Sequence, residues 1–91
     1  MNVLDFRGMR PQLAWFANEM ERQLENNDHK GGWENCTAKW LFTRLEKETK
    51  ELQRALSTGK NVVEEAADVA NFAMMIADNF QEHLDQEESN D

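Results

Sequence analysis

Four acidic residues are spaced so that together they could bind metal ions. Glu48 and Glu51 are three residues apart in one predicted helix, and Glu65 and Asp68 are three residues apart in the next. Residues three apart lie about 60° from each other around a helix axis, so each pair shares a face. A tight turn at 57–60 makes the two helices antiparallel neighbours, which brings the pairs to matching height. The spacing therefore predicts one cluster of four carboxylates.

Such a cluster would attract hard divalent cations. Carboxylates that repel one another in a partly apolar groove cost free energy unless a cation compensates them. Mg²⁺ and Mn²⁺ prefer oxygen ligands, and Mg²⁺ commonly takes one or two carboxylates together with phosphate oxygens. Glu65 and Asp68 lie within the apolar run VVEEAADVA at 62–70, where a solvated charge is out of place. For Glu48 and Glu51 the alternative is an ordinary solvated helix face, because other charged residues surround them.

Two predicted helices and a loop lead up to the turn. Apolar residues recur at three- and four-residue spacing over about 11–27, which predicts an amphipathic helix. The polar, glycine-containing stretch 26–32 is typical of a loop. A second helix over about 37–57 carries a stripe of leucines and ends before Gly59, a residue suited to the left-handed backbone that stops a helix.

The third predicted helix, about 61–84, is apolar on most sides. Asn61 and Glu64 have the spacing of a capping box at its start. Its many alanines would let a neighbouring helix approach closely, and a helix this apolar is normally buried on most sides. Three helices can cover it only in part. We therefore predict an all-α bundle of three main helices that is completed by self-association, and no segment predicts a β-strand.

The chain is short and acidic. Its 91 residues predict one domain, with a core at about 10–84 and a solvated acidic tail at 85–91. The net charge of −8 argues against a nucleic-acid binder and against docking on anionic membranes. A lone cysteine, Cys36, excludes an intrachain disulfide and fits a reducing compartment. Because we see neither a secretion signal nor a membrane-spanning run, we expect a cytoplasmic protein.

The carboxylate pairs and their surroundings resemble a known enzyme family. Glu48-x-x-Glu51, thirteen intervening residues and Glu65-x-x-Asp68 are similar to the metal motif of the MazG-like all-α nucleoside triphosphate pyrophosphohydrolases. The likeness covers about residues 10–80. Three stretches carry it beyond the motif: LEKETKEL at 45–52 and EEAADVANFAMMIADN at 64–79, similar to the second and third core helices of that family, and HKGGW at 29–33, similar to the loop ahead of them.

The resemblance implies an all-α homodimer or homotetramer that hydrolyses a nucleoside triphosphate to the monophosphate and pyrophosphate, in control of a nucleotide pool. It implies that Glu48, Glu51, Glu65 and Asp68 form the catalytic metal site and bind Mg²⁺, with Mn²⁺ as a substitute. Metal ions in such a site neutralise phosphate charge and lower the pKa of the attacking water. One of the carboxylates would orient or deprotonate that water, and we favour Glu48.

Four further residues are candidates for substrate binding. Lys30, beside two glycines, is placed to contact phosphates, and otherwise belongs to a simple turn. Trp33 would stack on a base, although a tryptophan after a glycine turn more often fills a core. Arg44, on the helix face that leads to the carboxylates, would contact phosphate or only form a salt bridge. Asn71 lies in an apolar helix and needs a hydrogen-bond partner, either the ligand or a second chain.

Two alternative functions follow from the same residues. A phosphoribosyl-ATP pyrophosphohydrolase is similarly short and helical, but its first motif has Gly-Glu-Glu after an apolar residue, and this chain has EKETKE at 46–51. The other alternative is a non-enzymatic helical interaction module. In that case the third helix docks a partner and the acidic pairs are solvated. Metal binding separates the enzyme from the interaction module.

Overall fold

Three α-helices make up most of the chain in the computed structural model, which describes the backbone of residues 8–89 and the side chains of residues 8–83. They are α1 (Pro11–Asn27), α2 (Ala38–Thr58) and α3 (Val62–Ser89), with a short 3₁₀-helix at Asp28–Lys30. No strand occurs within residues 8–89. The predicted all-α class with three main helices is therefore confirmed.

Local chemistry explains where α2 begins and ends. The Thr37 side chain accepts a hydrogen bond from the Trp40 amide at 3.1 Å, which satisfies one of the free N–H groups in the first turn. At the other end Gly59 has a φ of 72°, and its N–H donates to the Ala55 carbonyl at 2.7 Å. Gly59 is thus the left-handed stop that its position predicts.

The start and the end of α3 differ from the prediction. Asn61 has a left-handed φ of 62° instead of the extended backbone of a capping box, and within residues 8–89 its side chain does not bond to Glu64. Two left-handed residues, Gly59 and Asn61, are what reverse the chain so tightly, and asparagine tolerates that conformation. The helix continues to Ser89, about five residues beyond the predicted end, because DQEES at 85–89 contains no helix breaker. Of the predicted tail, residues 90–91 lie outside the described chain.

The central element is α3, on which both other helices pack. Contacts join α2 to α3 and α1 to α3, whereas no Cα atom of α1 lies within 8 Å of one in α2. The antiparallel α2–α3 pair follows directly from the turn at 59–61. Because α1 and α2 lie apart on the same partner, an open space remains between them.

The apolar core of the chain is small. Within residues 8–83 only three apolar side chains are buried, Leu41, Ala55 and Ala67. Seven large apolar side chains are between 47% and 65% exposed: Met9, Leu13, Trp15, Trp40, Phe42, Leu56 and Phe80. Leu56, the last leucine of the stripe predicted on α2, is therefore exposed and not buried. Within the described residues, no helix is both long enough and apolar enough to cross a membrane.

Candidate functional site

Three of the four predicted carboxylates converge on one point. Glu48 of α2 and Glu65 and Asp68 of α3 each offer an oxygen that lies within 4.8 Å of the oxygens offered by the other two. The turn between the helices sets this register, because it makes α2 and α3 antiparallel neighbours. An ion at the centre of such a triangle would meet all three ligands, so the geometry fits a divalent cation that prefers oxygen.

Glu51, the fourth carboxylate, lies outside this group. Arg54 donates from Nη1 to both of its carboxylate oxygens, at 3.0 Å each, within the exposed face of α2. An arginine three residues further along a helix is a competing partner that the spacing of the carboxylates alone does not reveal. Glu51 still acts on the cluster through space, because its charge is one of the causes that raise the pKa of Glu65.

Burial and neighbouring negative charges disfavour the ionised forms of Asp68 and Glu65. Burial, and then the charges of Glu48 and Glu65, raise the pKa of Asp68 from its ordinary 3.8 to about 6. Burial and the charges of Glu48 and Glu51 likewise raise the pKa of Glu65 above its ordinary value. Keeping these ionised carboxylates close together therefore costs free energy, and a bound cation would offset that cost.

The space between α1 and α2 forms a cavity of about 450 Å³, a size typical of small-ligand sites. Glu48 and Asp68 lie in its wall. All four residues predicted to bind substrate also line it: Lys30, Trp33, Arg44 and Asn71. Sequence reasoning missed the contribution of α1, which adds Gln23, Leu24 and Asn27 to the wall, and that of Cys36.

Polar and aromatic groups are ordered along this cavity. On α2 the lining runs from Glu48 through Arg44 to Trp40, and on antiparallel α3 it runs from Asp68 through Asn71 to Met75. The carboxylates therefore mark one end, and aromatic and apolar side chains mark the other. Between these ends lies a middle layer, which we define as Arg44 and Asn71.

Arg44 is held between two aromatic rings. Its guanidinium carbon lies 5.9 Å from the centre of the Trp40 ring and 5.7 Å from that of Phe72, within the range of cation–π attraction. Its Nη2 lies 3.5 Å from Glu48 Oε1, so the predicted salt bridge is present. The Nε atom is buried and has no hydrogen-bond partner among the described residues. Arg44 thus has one buried N–H donor that no group of the described chain satisfies.

Asn71 is 3% exposed and only half satisfied. Its Nδ2 donates to the Met20 carbonyl of α1 at 3.0 Å, a partner within the same chain that the sequence did not suggest. Its Oδ1 is buried without any hydrogen-bond partner in the described chain. A buried acceptor without a donor costs about 1–3 kcal/mol, so a ligand or water that donates to it would stabilise the protein.

Trp33 anchors the segment that closes one side of the cavity, residues 31–37, which we call the strap. Its indole Nε1 donates to Asp78 Oδ2 at 3.0 Å. Asn79 Nδ2 donates to the carbonyls of Trp33 at 3.0 Å and of Cys36 at 3.3 Å. Trp33 is half-buried, so it shapes the cavity and also fixes the strap to α3. The sequence analysis did not identify Asp78, although an acidic residue within the mostly apolar run MMIADNF at 74–80 could have pointed to it.

The backbone of the strap begins with a conformation that requires glycine. Gly31 has φ 93° and ψ 177°, a region in which side chains clash with the backbone. This turn follows the 3₁₀-helix that carries Lys30, which is exposed and lines the cavity from the side of the loop. Lys30 forms no ion pair within the described chain. Its charge is available to an anionic ligand.

Removing the Asp78 carboxylate should loosen the strap. We expect Asp78→Ala to speed the reaction of the Cys36 thiol with a maleimide about fivefold, since one hydrogen bond contributes about 1 kcal/mol. Cys36 is the only cysteine of the chain, so its modification can be followed by mass spectrometry without ambiguity. Asp78→Asn is the matched control, because its side-chain oxygen still accepts from Trp33. An unchanged rate in Asp78→Ala would show that this bond does not hold the strap.

The site as a whole combines a group of three carboxylates, two positively charged side chains and aromatic rings around one cavity. Such a combination suits a ligand with an anionic end and a flat ring. A scan of protein-family models and searches of curated proteins and of solved structures each find no match to this chain.

Proposed function

We propose that this protein is a metal-dependent nucleotide pyrophosphohydrolase. The observation that carries the proposal is the position of Glu48 and Asp68. They belong to the three-carboxylate group and also line one end of the cavity, whose other end is aromatic. A nucleoside triphosphate has a matching order of groups, with phosphates at one end and a flat base at the other. The resemblance to the MazG-like family supports the same reaction.

The carboxylates would hold Mg²⁺ or Mn²⁺, since both cations prefer oxygen ligands and share them with phosphates. Metal ions in such a site neutralise phosphate charge and supply an activated water for attack on the α-phosphorus. We assign Glu48 to orient that water, because its side chain is only 13% exposed and its carboxylate is held by Arg44. Lys30 and Arg44 bring positive charge to the phosphates in an otherwise acidic chain.

The aromatic end of the cavity would hold the base. Trp33, Trp40 and Phe72 all line it, and a flat base can stack on such rings. Trp40 is 52% exposed, which leaves its ring accessible to a ligand.

Release of pyrophosphate from a panel of ribo- and deoxyribonucleoside triphosphates tests the proposal. We expect release with Mg²⁺ or Mn²⁺ and none with a chelator. If no nucleotide is cleaved but the protein binds metal, phosphoribosyl-ATP becomes the substrate to test. If there is neither cleavage nor metal binding, the protein is better explained as an interaction module.

A second copy of the chain would complete the fold. One face of α3, which we call the alanine stripe, consists of small residues and ends in Phe80, whose side chain is 65% exposed. Its members are Ala66, Ala70, Ala73, Ala77 and Phe80. Ala73 and Ala77 are exposed, so neither α1 nor α2 covers this part of the apolar helix. We propose that the stripe is the contact of a homodimer, or one contact of a homotetramer.

A charge placed in the alanine stripe should separate the subunits. We expect Ala77→Glu to weaken self-association about 100-fold, because a carboxylate buried in an apolar contact costs several kcal/mol. Sedimentation over a concentration series would measure the change, and circular dichroism would check that the helices persist. Gln53→Glu, which adds the same charge at an exposed position of α2, is the control. Equal association of all three proteins would exclude this face as the interface.

A further inference from the structure

Two buried polar atoms of the middle layer lack partners, and they are of opposite kinds. Asn71 Oδ1 is an acceptor and Arg44 Nε is a donor. The amide of Asn71 cannot be reversed without cost, because its Nδ2 donates to the Met20 carbonyl and a reversed amide would set two oxygens against each other. Arg44 is likewise fixed, between the Trp40 and Phe72 rings. Both orphaned atoms belong to side chains that line the cavity.

The position of the middle layer indicates which part of a nucleotide would meet it. Asn71 lies one helical turn from Asp68, about 4.5 Å along the axis of α3. Arg44 lies about one turn from Glu48 on α2, in the same direction along the cavity. The layer is therefore next to the carboxylates, on the side toward the aromatic end. With phosphates at the carboxylates and the base among the rings, the sugar occupies this layer.

We propose that Asn71 and Arg44 bind a hydroxyl group of the nucleotide sugar and so make it a requirement for productive binding. The hydroxyl donates its proton to Asn71 Oδ1 and accepts a hydrogen bond from Arg44 Nε. This assignment rests on the proposed function and deepens it, because it names the substrate class as nucleotides that carry a free sugar hydroxyl.

A sugar hydroxyl satisfies both orphaned atoms, whereas a phosphate oxygen or an exocyclic amino group alone does not. Phosphate oxygens only accept, so they would leave Asn71 Oδ1 without a donor and would repel it. An exocyclic amino group of a base mainly donates, and it would leave Arg44 Nε without an acceptor. A hydroxyl both donates and accepts through one oxygen. A site whose buried polar atoms depend on such a group discriminates strongly against analogues that lack it.

The main experiment compares different substrates of the wild-type protein. Its result therefore does not depend on whether a variant folds. The probes are the ribo, 2′-deoxy, 3′-deoxy and 2′,3′-dideoxy triphosphates of adenosine, and the 2′-deoxy and 2′,3′-dideoxy triphosphates of the other three bases. We expect kcat/KM for the dideoxy form of adenosine triphosphate to be about 10- to 100-fold lower than for the ribo form, which carries both hydroxyls. The 2′-deoxy and 3′-deoxy forms show which hydroxyl is bound. Calorimetric binding of the deoxy and dideoxy monophosphates gives a second readout that needs no turnover.

Arg44→Lys tests the role of the Nε atom. Lysine keeps the positive charge beside Glu48 but lacks this donor, so the ratio of kcat/KM between the ribo and dideoxy forms should fall to about threefold or less. If Arg44 had only a structural role, Arg44→Lys would lower kcat/KM for both substrate forms by the same factor and leave their ratio unchanged. Arg22→Lys makes the same change on the exposed face of α1 and should keep the wild-type ratio.

The outcomes separate the two proposals. A large ratio in the wild type that collapses in Arg44→Lys supports the hydroxyl site. Equal kcat/KM for the ribo, 2′-deoxy, 3′-deoxy and dideoxy forms of adenosine triphosphate would overturn the hydroxyl site and leave the pyrophosphohydrolase in place. Absence of cleavage and binding for every nucleotide would overturn the proposed function, and the hydroxyl site with it.

Discussion

Replacing Asp68 with asparagine is expected to lower metal-dependent pyrophosphate release by more than about 100-fold, because even the outer partners of metal ligands contribute about 10- to 100-fold. Asp68 belongs to both the carboxylate group and the cavity wall, so its loss affects the cation and the ligand together. Steady-state kinetics with saturating Mg²⁺, together with a metal-binding isotherm, would measure the effect. A variant that binds metal and cleaves nucleotide as the wild type does would remove Asp68 from the site.

Glu51→Gln provides a sharp comparison with Asp68→Asn. Its carboxylate is paired with Arg54 outside the three-carboxylate group, so we expect less than about a tenfold loss of activity. Glu46→Gln, at an exposed position of the same helix, serves as the neutral control. If Glu51→Gln were as damaging as Asp68→Asn, ligand binding would have to draw Glu51 away from Arg54 into a four-carboxylate site.

The same Asp68 variant should be more stable than the wild type when metal is absent. Because the folded-state pKa of Asp68 is about 6 against an ordinary 3.8, the folded chain holds this proton more tightly than the unfolded chain. The free energy of unfolding therefore falls as pH rises through that window, and the full cost is present above pH 6. Asparagine removes the titrating group. After allowance for solvent screening we expect a gain of about 1 kcal/mol at neutral pH, or about 4–8 °C in Tm.

Thermal unfolding of both proteins in chelator, at neutral pH and near pH 4, would measure this gain. The difference in Tm should shrink toward zero near pH 4, where the wild-type carboxyl is protonated in the folded chain. Saturating Mg²⁺ should reverse the order at neutral pH, because only the wild type gains stability from binding the cation. A metal-free variant that melts below the wild type at neutral pH would contradict the origin of the raised pKa.

The Leu41→Ala variant is expected to lose about 3–5 kcal/mol of unfolding free energy. Leu41 is fully buried and is the only large side chain so enclosed within the described residues. Removal of a leucine from a packed site loses transfer free energy and leaves a cavity. Since a chain of this size has a stability of roughly 5–13 kcal/mol, the variant should lose a large share of it.

Urea unfolding followed by circular dichroism, at a low and fixed protein concentration, would measure the loss. Leu56→Ala makes the same chemical change on the same helix, at a side chain that is 63% exposed. We expect it to cost less than about 1 kcal/mol in the separated chain. A similar cost at both positions would mean that Leu56 is buried by a second subunit or that Leu41 is less enclosed than its position indicates.

Most helix ends follow from signals that are local in the sequence. Pro11 at the start of α1, Thr37 before α2 and Gly59 after it each act through backbone conformation or a hydrogen bond within four residues. Where local signals compete, prediction was less accurate. Asn61 could have capped α3 with its side chain, but the tight turn required a left-handed residue there.

Helical periodicity also predicted which carboxylates face each other, but not how each is paired. Glu48, Glu65 and Asp68 converge because the short turn fixes the register of two antiparallel helices. Glu51 shares a helix face with Glu48, yet its carboxylate is paired with Arg54. Both arrangements are consistent with the spacing, and the choice between them depends on side-chain rotamers that the sequence does not specify.

The sequence by itself determined the helical class, most of the helix ends and the faces that carry the carboxylates, because these depend on contacts between residues close along the chain. Only the tertiary structure decided how α1 lies apart from α2, and that gap creates the cavity. The bonds that shape its walls join residues 45 and 51 positions apart, Trp33 with Asp78 and Met20 with Asn71. Such bonds form only after packing brings distant helices together, so no local pattern encodes them.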